Sequence, residues 1–344
     1  MAQQFNPLNI QYFFTMADVR FQQGIRNAPL WSSELLTVYQ AETEQVLQGW
    51  MEMPDNMRPW RGAREVQDPA PQTYQVPLIP WEITMGIDRF AFMFDRWGIY
   101  APMAQRIGQK TAKLQDYATR DLLQGNGELG AAPYTNGPDG LTFWNTAHPV
   151  DYWDASKGTY CNNYGSAGVT VNGQTVGGTF SVNAFASVWY DMAARQNASA
   201  EAIGVTPNRI LVPPQLRFQA GVVCQNSMFA PQSILTLGGG NVPTPGSPTP
   251  ANAPFVGAMD NPLRGACDVR FTADLANQPT AWYMADTSDI MKPLGWAQHT
   301  APTFVVRNAE TDPVVFDQHR YLMGAFAIAV PHWGFSFNLS RSGI

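Results

Sequence analysis

The chain has 344 residues, a net charge of −6 and only 14% charged residues, against roughly 25% in an average soluble protein. Its hydrophobic fraction of 45% is ordinary, so uncharged polar residues, glycine and proline replace the missing charges. A low content of charged residues favours a large assembly in which other copies of the chain cover most of the surface. The negative net charge argues against a basic surface that binds nucleic acid.

The first predicted elements are a helix and a long hairpin. Residues 12–24 fit a short amphipathic helix. Residues 72–85 alternate in polarity and contain β-branched side chains, which predicts an extended strand. Because Pro77 and Pro80 lack N–H donors, this strand should lie at a sheet edge or in a two-stranded ribbon. We therefore expect residues 45–88 to form one hairpin.

The segment Trp50–Arg64 within this hairpin is rich in Trp, Met and Arg. Pro54 and Pro59 disfavour a helix there. One interpretation is a loop that folds back on its own core, and the other is an arm that lies on a neighbouring subunit. Trp, Met and Arg are enriched at protein interfaces. The second interpretation predicts inter-subunit contacts at Trp50, Met53, Arg58, Trp60, Arg61 and Arg64.

The clearest helical pattern covers residues 100–124, with Pro102 in its first turn and Gly125 just after its end. A second helix fits Val182–Gln196. Pro213 and Pro214 precede a third helix, at residues 215–224. The remaining patterns predict strands at 205–212, 280–285 and 302–307, a turn-rich segment at 238–254 and a buried apolar run at 321–331.

The sequence contains no convincing catalytic or metal-binding pattern. His148, with Asp139 and Asp151 nearby in sequence, permits a catalytic or metal role, but a hydrogen-bonded structural histidine is the favoured interpretation. The cysteines form no CxxC pair, so we expect buried thiols in a reducing compartment at Cys161, Cys224 and Cys267. We expect neither a secretory signal nor a membrane span, and predict no enzyme, no cofactor and no metal.

Four stretches, in order, resemble the major head protein of Mu-like tailed phages. They span most of residues 30–335. The matching motifs are W-M-E-M-P-D-N-M-R-P-W-R-G-A-R-E-V at 50–66, D-G-L-T-F-W with A-H-P at 139–149, T-P-N-R-I-L-V-P-P-Q-L at 206–216, and W-Y-M-A-D, K-P-L and P-T-F between 282 and 304.

The resemblance implies an α+β fold of the Hong-Kong-97 capsid type. Residues 100–124 would be its long spine helix. The implied division is an N-terminal arm (1–44), an extended hairpin loop (45–88), a peripheral domain (89–205 and 301–344) and an axial domain (206–300).

The resemblance also implies a function. The protein would be the major capsid protein of a tailed double-stranded DNA bacteriophage, assembled in the host bacterial cytoplasm and located in the virion capsid. It would form hexamers and pentamers of an icosahedral head. Implied partners are a portal, a scaffolding protein and a decoration protein, with DNA enclosed without sequence-specific binding and no membrane.

Two features depart from some members of this fold. No lysine precedes Lys110, so a lysine crosslink on the extended loop is excluded and contacts there should be non-covalent. The N-terminal region lacks a charged coiled-coil segment, so we expect no maturation cleavage. The alternatives are a phage tail or decoration protein, and a secreted or periplasmic β-rich hydrolase.

Overall fold

The computed structural model describes residues 7–50, 57, 72–94, 98, 100–151, 154–229, 259–309 and 311–344. Within them, the helices are α1 (Pro7–Arg26), α2 (Arg89–Met93), α3 (Tyr100–Ala112), α4 (Leu114–Gln124), α5 (Val182–Ala193), α6 (Arg217–Cys224) and α7 (Pro313–Gln318). The strands are β1 (Leu36–Gln40), β2 (Gln45–Trp50), β3 (Gln72–Pro77), β4 (Ile79–Asp88), β5 (His148–Pro149), β6 (Thr159–Tyr160), β7 (Val169–Val171), β8 (Gln174–Val176), β9 (Arg209–Val212), β10 (Met228–Phe229), β11 (Met259–Asp260), β12 (Asp268–Phe271), β13 (Trp282–Ala285), β14 (Leu294–Arg307), β15 (Arg320–Trp333) and β16 (Leu339–Ser342).

These elements form two compact units. Unit 1 comprises residues 1–47, 75–134 and 295–332, and unit 2 comprises residues 48–74, 135–294 and 333–344. Within unit 2, α5 shares one hydrophobic core with β9 and β13. The division into N-terminal arm, extended loop, peripheral domain and axial domain stays a prediction.

Unit 1 is built on a four-stranded sheet in the order β1-β14-β15-β4. β4 runs antiparallel to β15, with Asp88 opposite Arg320 and Ile79 opposite Ala329. Alternate residues of the sheet face α1 and α3, which bury an apolar stripe against it. The buried core consists of Ile10, Phe14, Ala17, Phe21, Ile87, Ala104, Ile107, Val315, Tyr321, Met323 and Ala325.

The helices α1 and α3 approach each other closely at two glycines. A Cβ atom on Gly24 would lie 2.2 Å from the carbonyl oxygen of Gln105, and one on Gly108 would lie 2.2 Å from that of Phe21. Real Cβ atoms do not tolerate such distances, so both positions need glycine for backbone contact.

The predicted helix 100–124 is divided into α3 and α4. Lys113 lies between them, with ψ near −3°. The hydroxyl of Thr111 donates to the carbonyl of Ile107 at 2.8 Å, a side-chain bond that bends helices. Pro102 lies in the first turn as predicted, and Gly125, at φ 67°, ends α4 as predicted. The prediction of helical structure over residues 100–124 is therefore correct, but the prediction of one continuous helix is wrong.

Two prolines occupy the positions that their missing donors require. Pro77 ends β3, which pairs only with β2 in a two-stranded ribbon, and Pro80 lies in β4, an edge strand of the unit 1 sheet. The prediction of an edge or a ribbon is thus confirmed. The single hairpin predicted for residues 45–88 extended too far, because residues 79–88 pair with β15 and belong to the sheet.

Unit 2 contains a second four-stranded sheet, ordered β12-β9-β13-β16. β9 is parallel to β12, and β13 is antiparallel to β9 and β16. The predicted strand at 205–212 begins only at Arg209, after Pro207, which cannot donate to a ladder. Side chains of α5, α6 and the sheet share one core, which includes Phe185, Val188, Met192, Ile210, Val212, Val223, Trp282 and Met284.

Candidate functional site

The predicted contact loop is attached through the ribbon of β2 and β3. Val46, Tyr74 and Val76 are buried; Tyr74 lies nearer the loop, and Val46 and Val76 lie toward the opposite end of the ribbon. At that end the backbone N–H of Leu78 donates to the carbonyl of Glu44 at 3.0 Å. An isolated two-stranded ribbon is marginal in water, so these buried residues stabilise it.

The structure places only part of the predicted contact set. Trp50 is the last residue of β2. Met53, Arg58, Trp60, Arg61 and Arg64 lie outside the described residues. Met57, which the structure does describe, is fully exposed. Contact of these side chains with another subunit therefore stays a prediction, based on the ribbon that carries them.

A groove of about 320 Å³ lies on the face of the unit 1 sheet opposite its core. Its charged lining residues are Glu82 and Arg307, and the Arg307 Nε donates to Asp312 at 2.9 Å. The other lining residues are Thr84, Val305, Leu322, Met323, Gly324, Ala325 and Phe326. Within this lining the hydroxyl of Thr84 donates to a carboxylate oxygen of Glu82 at 2.6 Å, and both side chains are exposed.

His148 is the structural histidine favoured by the sequence. It is fully buried, with Nδ1 at 2.5 Å from an Asp139 carboxylate oxygen and Nε2 at 2.8 Å from the carbonyl oxygen of Phe143. Its ring stacks on that of Tyr160. Both ring nitrogens therefore lie within hydrogen-bond distance of an oxygen atom of the protein itself. Neither nitrogen is left to abstract a proton from a substrate or to bind a metal.

Arg195 is a buried residue that the sequence analysis missed. Its guanidinium donates to the carbonyls of Phe337 and Cys161, and to the hydroxyls of Tyr164 and Ser340. Its side chain is only 2% exposed. These bonds tie the end of α5 to the C-terminal segment of unit 2. No local sequence motif marks these four bonds, because their acceptors lie 31 to 145 residues away along the chain and two of them are main-chain carbonyls.

The three cysteines are free and buried, as predicted. Burial raises the pKa of the Cys161 and Cys267 thiols and raises that of Cys224 to about 12. The thiolate is the reactive form of cysteine, so these thiols are unreactive at neutral pH.

The described residues contain no group of three or more His, Cys, Asp or Glu side chains that could hold a metal ion. Within the same part of the chain, every helix is too short or too polar to cross a membrane.

The family assignment comes from sequence comparison. The family model for the Mu-like prophage major head subunit gpT matches residues 10–172 and 260–338, well over half of the chain. The chain belongs to this family. The resemblance to this family is therefore confirmed, and three of the four motifs lie within the matched residues, whereas the motif at 206–216 lies between them.

Two curated relatives share less than 30% sequence identity with this chain. The chain is 29% identical over 144 residues to the "Major capsid protein" of Escherichia phage Mu, and 25% identical over 144 residues to the "Mu-like prophage FluMu major head subunit" of Haemophilus influenzae. Each alignment covers 42% of this chain and 45% of the relative. The aligned region thus spans about half the length of these relatives.

Solved structures show the fold. The procapsid protein of bacteriophage JBD30 matches with a TM-score of 0.52 and 20% identity, over 99% of this chain and 76% of that chain. The JBD30 capsid matches with a TM-score of 0.52 and 19% identity, over 74% and 94%. The chain has the Hong-Kong-97-type capsid fold that the sequence resemblance implied.

Proposed function

We propose that this chain is the major capsid protein of a tailed double-stranded DNA bacteriophage and assembles into the hexamers and pentamers of an icosahedral head. The observation that carries this proposal is the family match, which includes residues of both compact units. The capsid fold over nearly the whole chain supports it. The low charge of the surface also suits a protein covered by its own copies.

Electron microscopy of the purified, concentrated protein tests this function. Closed shells are the expected result. Tubes or free trimers would favour a tail or decoration protein instead. A monodisperse monomer under all assembly conditions would contradict the capsid proposal and favour the hydrolase alternative.

The predicted loop is the second part of the proposal. Trp50, Trp60 and Met53 would bury apolar surface on a neighbouring subunit, while Arg58, Arg61 and Arg64 would meet carboxylates there. The ribbon of β2 and β3 supports this proposal because its buried residues hold the strands from which the loop departs. Buried Trp and Arg side chains often dominate interface energies, each costing ~2 kcal/mol or more when truncated.

The double variant Trp60→Ala with Arg61→Ala tests the loop contact. We expect folded subunits that give a lower yield of shells with lower thermal stability. Ile290→Ala is the matched control, because it also removes an exposed apolar side chain, but far along the chain from the loop. Normal yield and stability of shells from the double variant would show that the loop is not the contact claimed.

Further partners follow from the capsid function. The shell would meet a portal and a scaffolding protein during assembly, then a decoration protein, and would enclose DNA without sequence-specific binding or any catalytic activity. The domain names arm, extended loop, peripheral domain and axial domain are part of the same proposal. Mass spectrometry of virions, together with nuclease protection of the packaged DNA, tests the location and the enclosure.

A further inference from the structure

One corner of unit 1 exposes several aromatic rings together. Phe90 is 60% exposed, Phe94 is 69% exposed and Phe316 is 74% exposed. We call Phe90, Phe94, Phe316 and His319 the aromatic corner. Exposed apolar residues are common singly, but a group of large rings in one place marks an interaction site.

The members of the aromatic corner are held together by backbone and ring contacts. The backbone N–H of Arg89, at the start of α2, donates to the carbonyl of His319 at 2.9 Å. The rings of Phe90 and His319 are 6.2 Å apart. Phe316 lies on α7, which ends one residue before His319. Phe94 follows Phe90 by four residues, one helical turn later.

The exposure is a consequence of ordered packing. Phe92, on the same short helix, points inward, with its ring centroid 4.7 Å from that of Phe13 and 6.0 Å from that of Tyr321. Asp88 caps the helix by accepting from the N–H of Ala91 at 2.9 Å. A helix anchored in this way presents its neighbouring phenylalanines to solvent in a fixed position.

The charges beside the corner indicate which partner it fits. Among the described residues within two positions of its members, Asp88 and Asp317 are acidic, and Arg89 and Arg320 are basic. This patch lacks the net positive charge that a nucleic-acid contact needs. Because it carries both signs, it can form opposite-charge pairs with the mixed surface of another copy of this chain, which has 27 acidic and 21 basic residues.

We propose that the aromatic corner is a contact surface between copies of this chain in the shell. This inference rests on the proposed capsid function, and it adds a second contact that is separate from the loop. The copy bound there would bury the three phenylalanines, which otherwise remain in water, and would pair the flanking charges.

Hydroxyl-radical footprinting of the wild-type protein tests the corner without any substitution. Free subunits and shells assembled from the purified chain alone are oxidised in parallel. We expect at least a fivefold lower oxidation of Phe90, Phe94 and Phe316 in shells. Equal oxidation in both forms would overturn the inference. Protection that appears only when another protein is added would also overturn it, because the partner would not be a second copy.

The double variant Phe90→Gln with Phe316→Gln supplies an independent test. Both rings are exposed, so the variant should fold, with an unchanged circular dichroism spectrum. We expect its threshold concentration for shell formation to rise at least tenfold, whereas Ile290→Gln should assemble as the wild type does. A folded variant with a normal threshold would overturn the inference. If the wild type itself forms no shells, the proposed function fails first, and the two failures remain distinguishable.

Discussion

The two units of the molecule are stabilised in different ways. In unit 1, long strands and helices satisfy their own backbone hydrogen bonds, and aromatic and aliphatic side chains fill the space between helix and sheet. In unit 2, a hydrophobic core is also present, but buried polar side chains bind the carbonyl groups of irregular segments. Backbone groups outside helices and sheets need such partners when they are buried.

This difference teaches where each unit should be sensitive to mutation. Unit 1 depends on the close approach of its regular elements, which a single added methyl group can disturb. The stability of unit 2 depends on a few buried polar side chains, each of which forms hydrogen bonds with more than one partner. Four predictions test this contrast, in order of decreasing effect.

Loss of Arg195 should have the largest effect. Arg195→Met keeps much of the apolar side chain but leaves the carbonyl of Phe337 without its buried donor and removes one of two donors to the carbonyl of Cys161. We expect the free energy of unfolding to fall by about 3–5 kcal/mol, as when a buried charged network is broken. Urea denaturation of the wild type and variant measures this difference.

The control for Arg195 is Arg120→Met in unit 1. Arg120 pairs with Asp121 near the surface, with its side chain 30% exposed. Such a pair contributes about 0–1 kcal/mol. If both arginine variants lowered the free energy of unfolding equally, the stability of unit 2 would not depend on its buried polar side chains as claimed.

Replacement of His148 should have the next largest effect. His148→Gln cannot reproduce both ring bonds, so either the buried carboxylate of Asp139 loses its contact with the ring or the carbonyl of Phe143 keeps only its bond from Asn162. We expect a loss of about 2–3 kcal/mol, the cost of an unsatisfied buried group with a charged partner. The exposed His299→Gln should stay within about 0.5 kcal/mol in the same denaturation experiment. A similarly small cost for His148→Gln would contradict the role assigned to it.

The glycine contact tests unit 1. Gly108→Ala places a methyl group against the carbonyl oxygen of Phe21, so α1 and α3 must separate. We expect a loss of about 1–3 kcal/mol from overpacking. Gly221→Ala in α6 is the matched control, because its Cβ would meet only Gln225, at an ordinary 3.6 Å. That control should gain about 0.5–1 kcal/mol from helix propensity. Calorimetry that shows the same sign for both variants would refute the close approach.

Much of the fold could be predicted because it repeats a simple pattern. The alternation at 302–307 predicted a strand, and β14 alternates between partly buried and exposed residues there. The same strand begins earlier, at Leu294, where four successive residues are buried and no alternation exists. The alternation therefore marked the part of β14 with one exposed face but not its fully buried start, whereas the short buried strands β9 and β13 were also predicted.

The candidate sites were harder to predict for a different reason. Pro77 and Pro80 constrain the ribbon and the edge strand through local chemistry, so the sequence was sufficient. Arg195 binds partners that are distant along the chain, and Phe90 and Phe92 look alike in sequence although one is exposed and the other is packed inside. Only the three-dimensional arrangement separates these cases.

The smallest predicted effect concerns a helix end in unit 2. The hydroxyl of Ser181 accepts from the backbone N–H of Ala184 at 3.1 Å and caps α5. Ser181→Ala should cost about 1 kcal/mol, whereas Ser181→Gly should cost only a few tenths, because glycine leaves that N–H open to water. Urea denaturation of both variants checks this order. A cap acts on one helix end, whereas Arg195 joins several segments. If Ser181→Ala lowered the free energy of unfolding as much as Arg195→Met does, the stability of unit 2 would depend on α5 itself rather than on the bonds of Arg195.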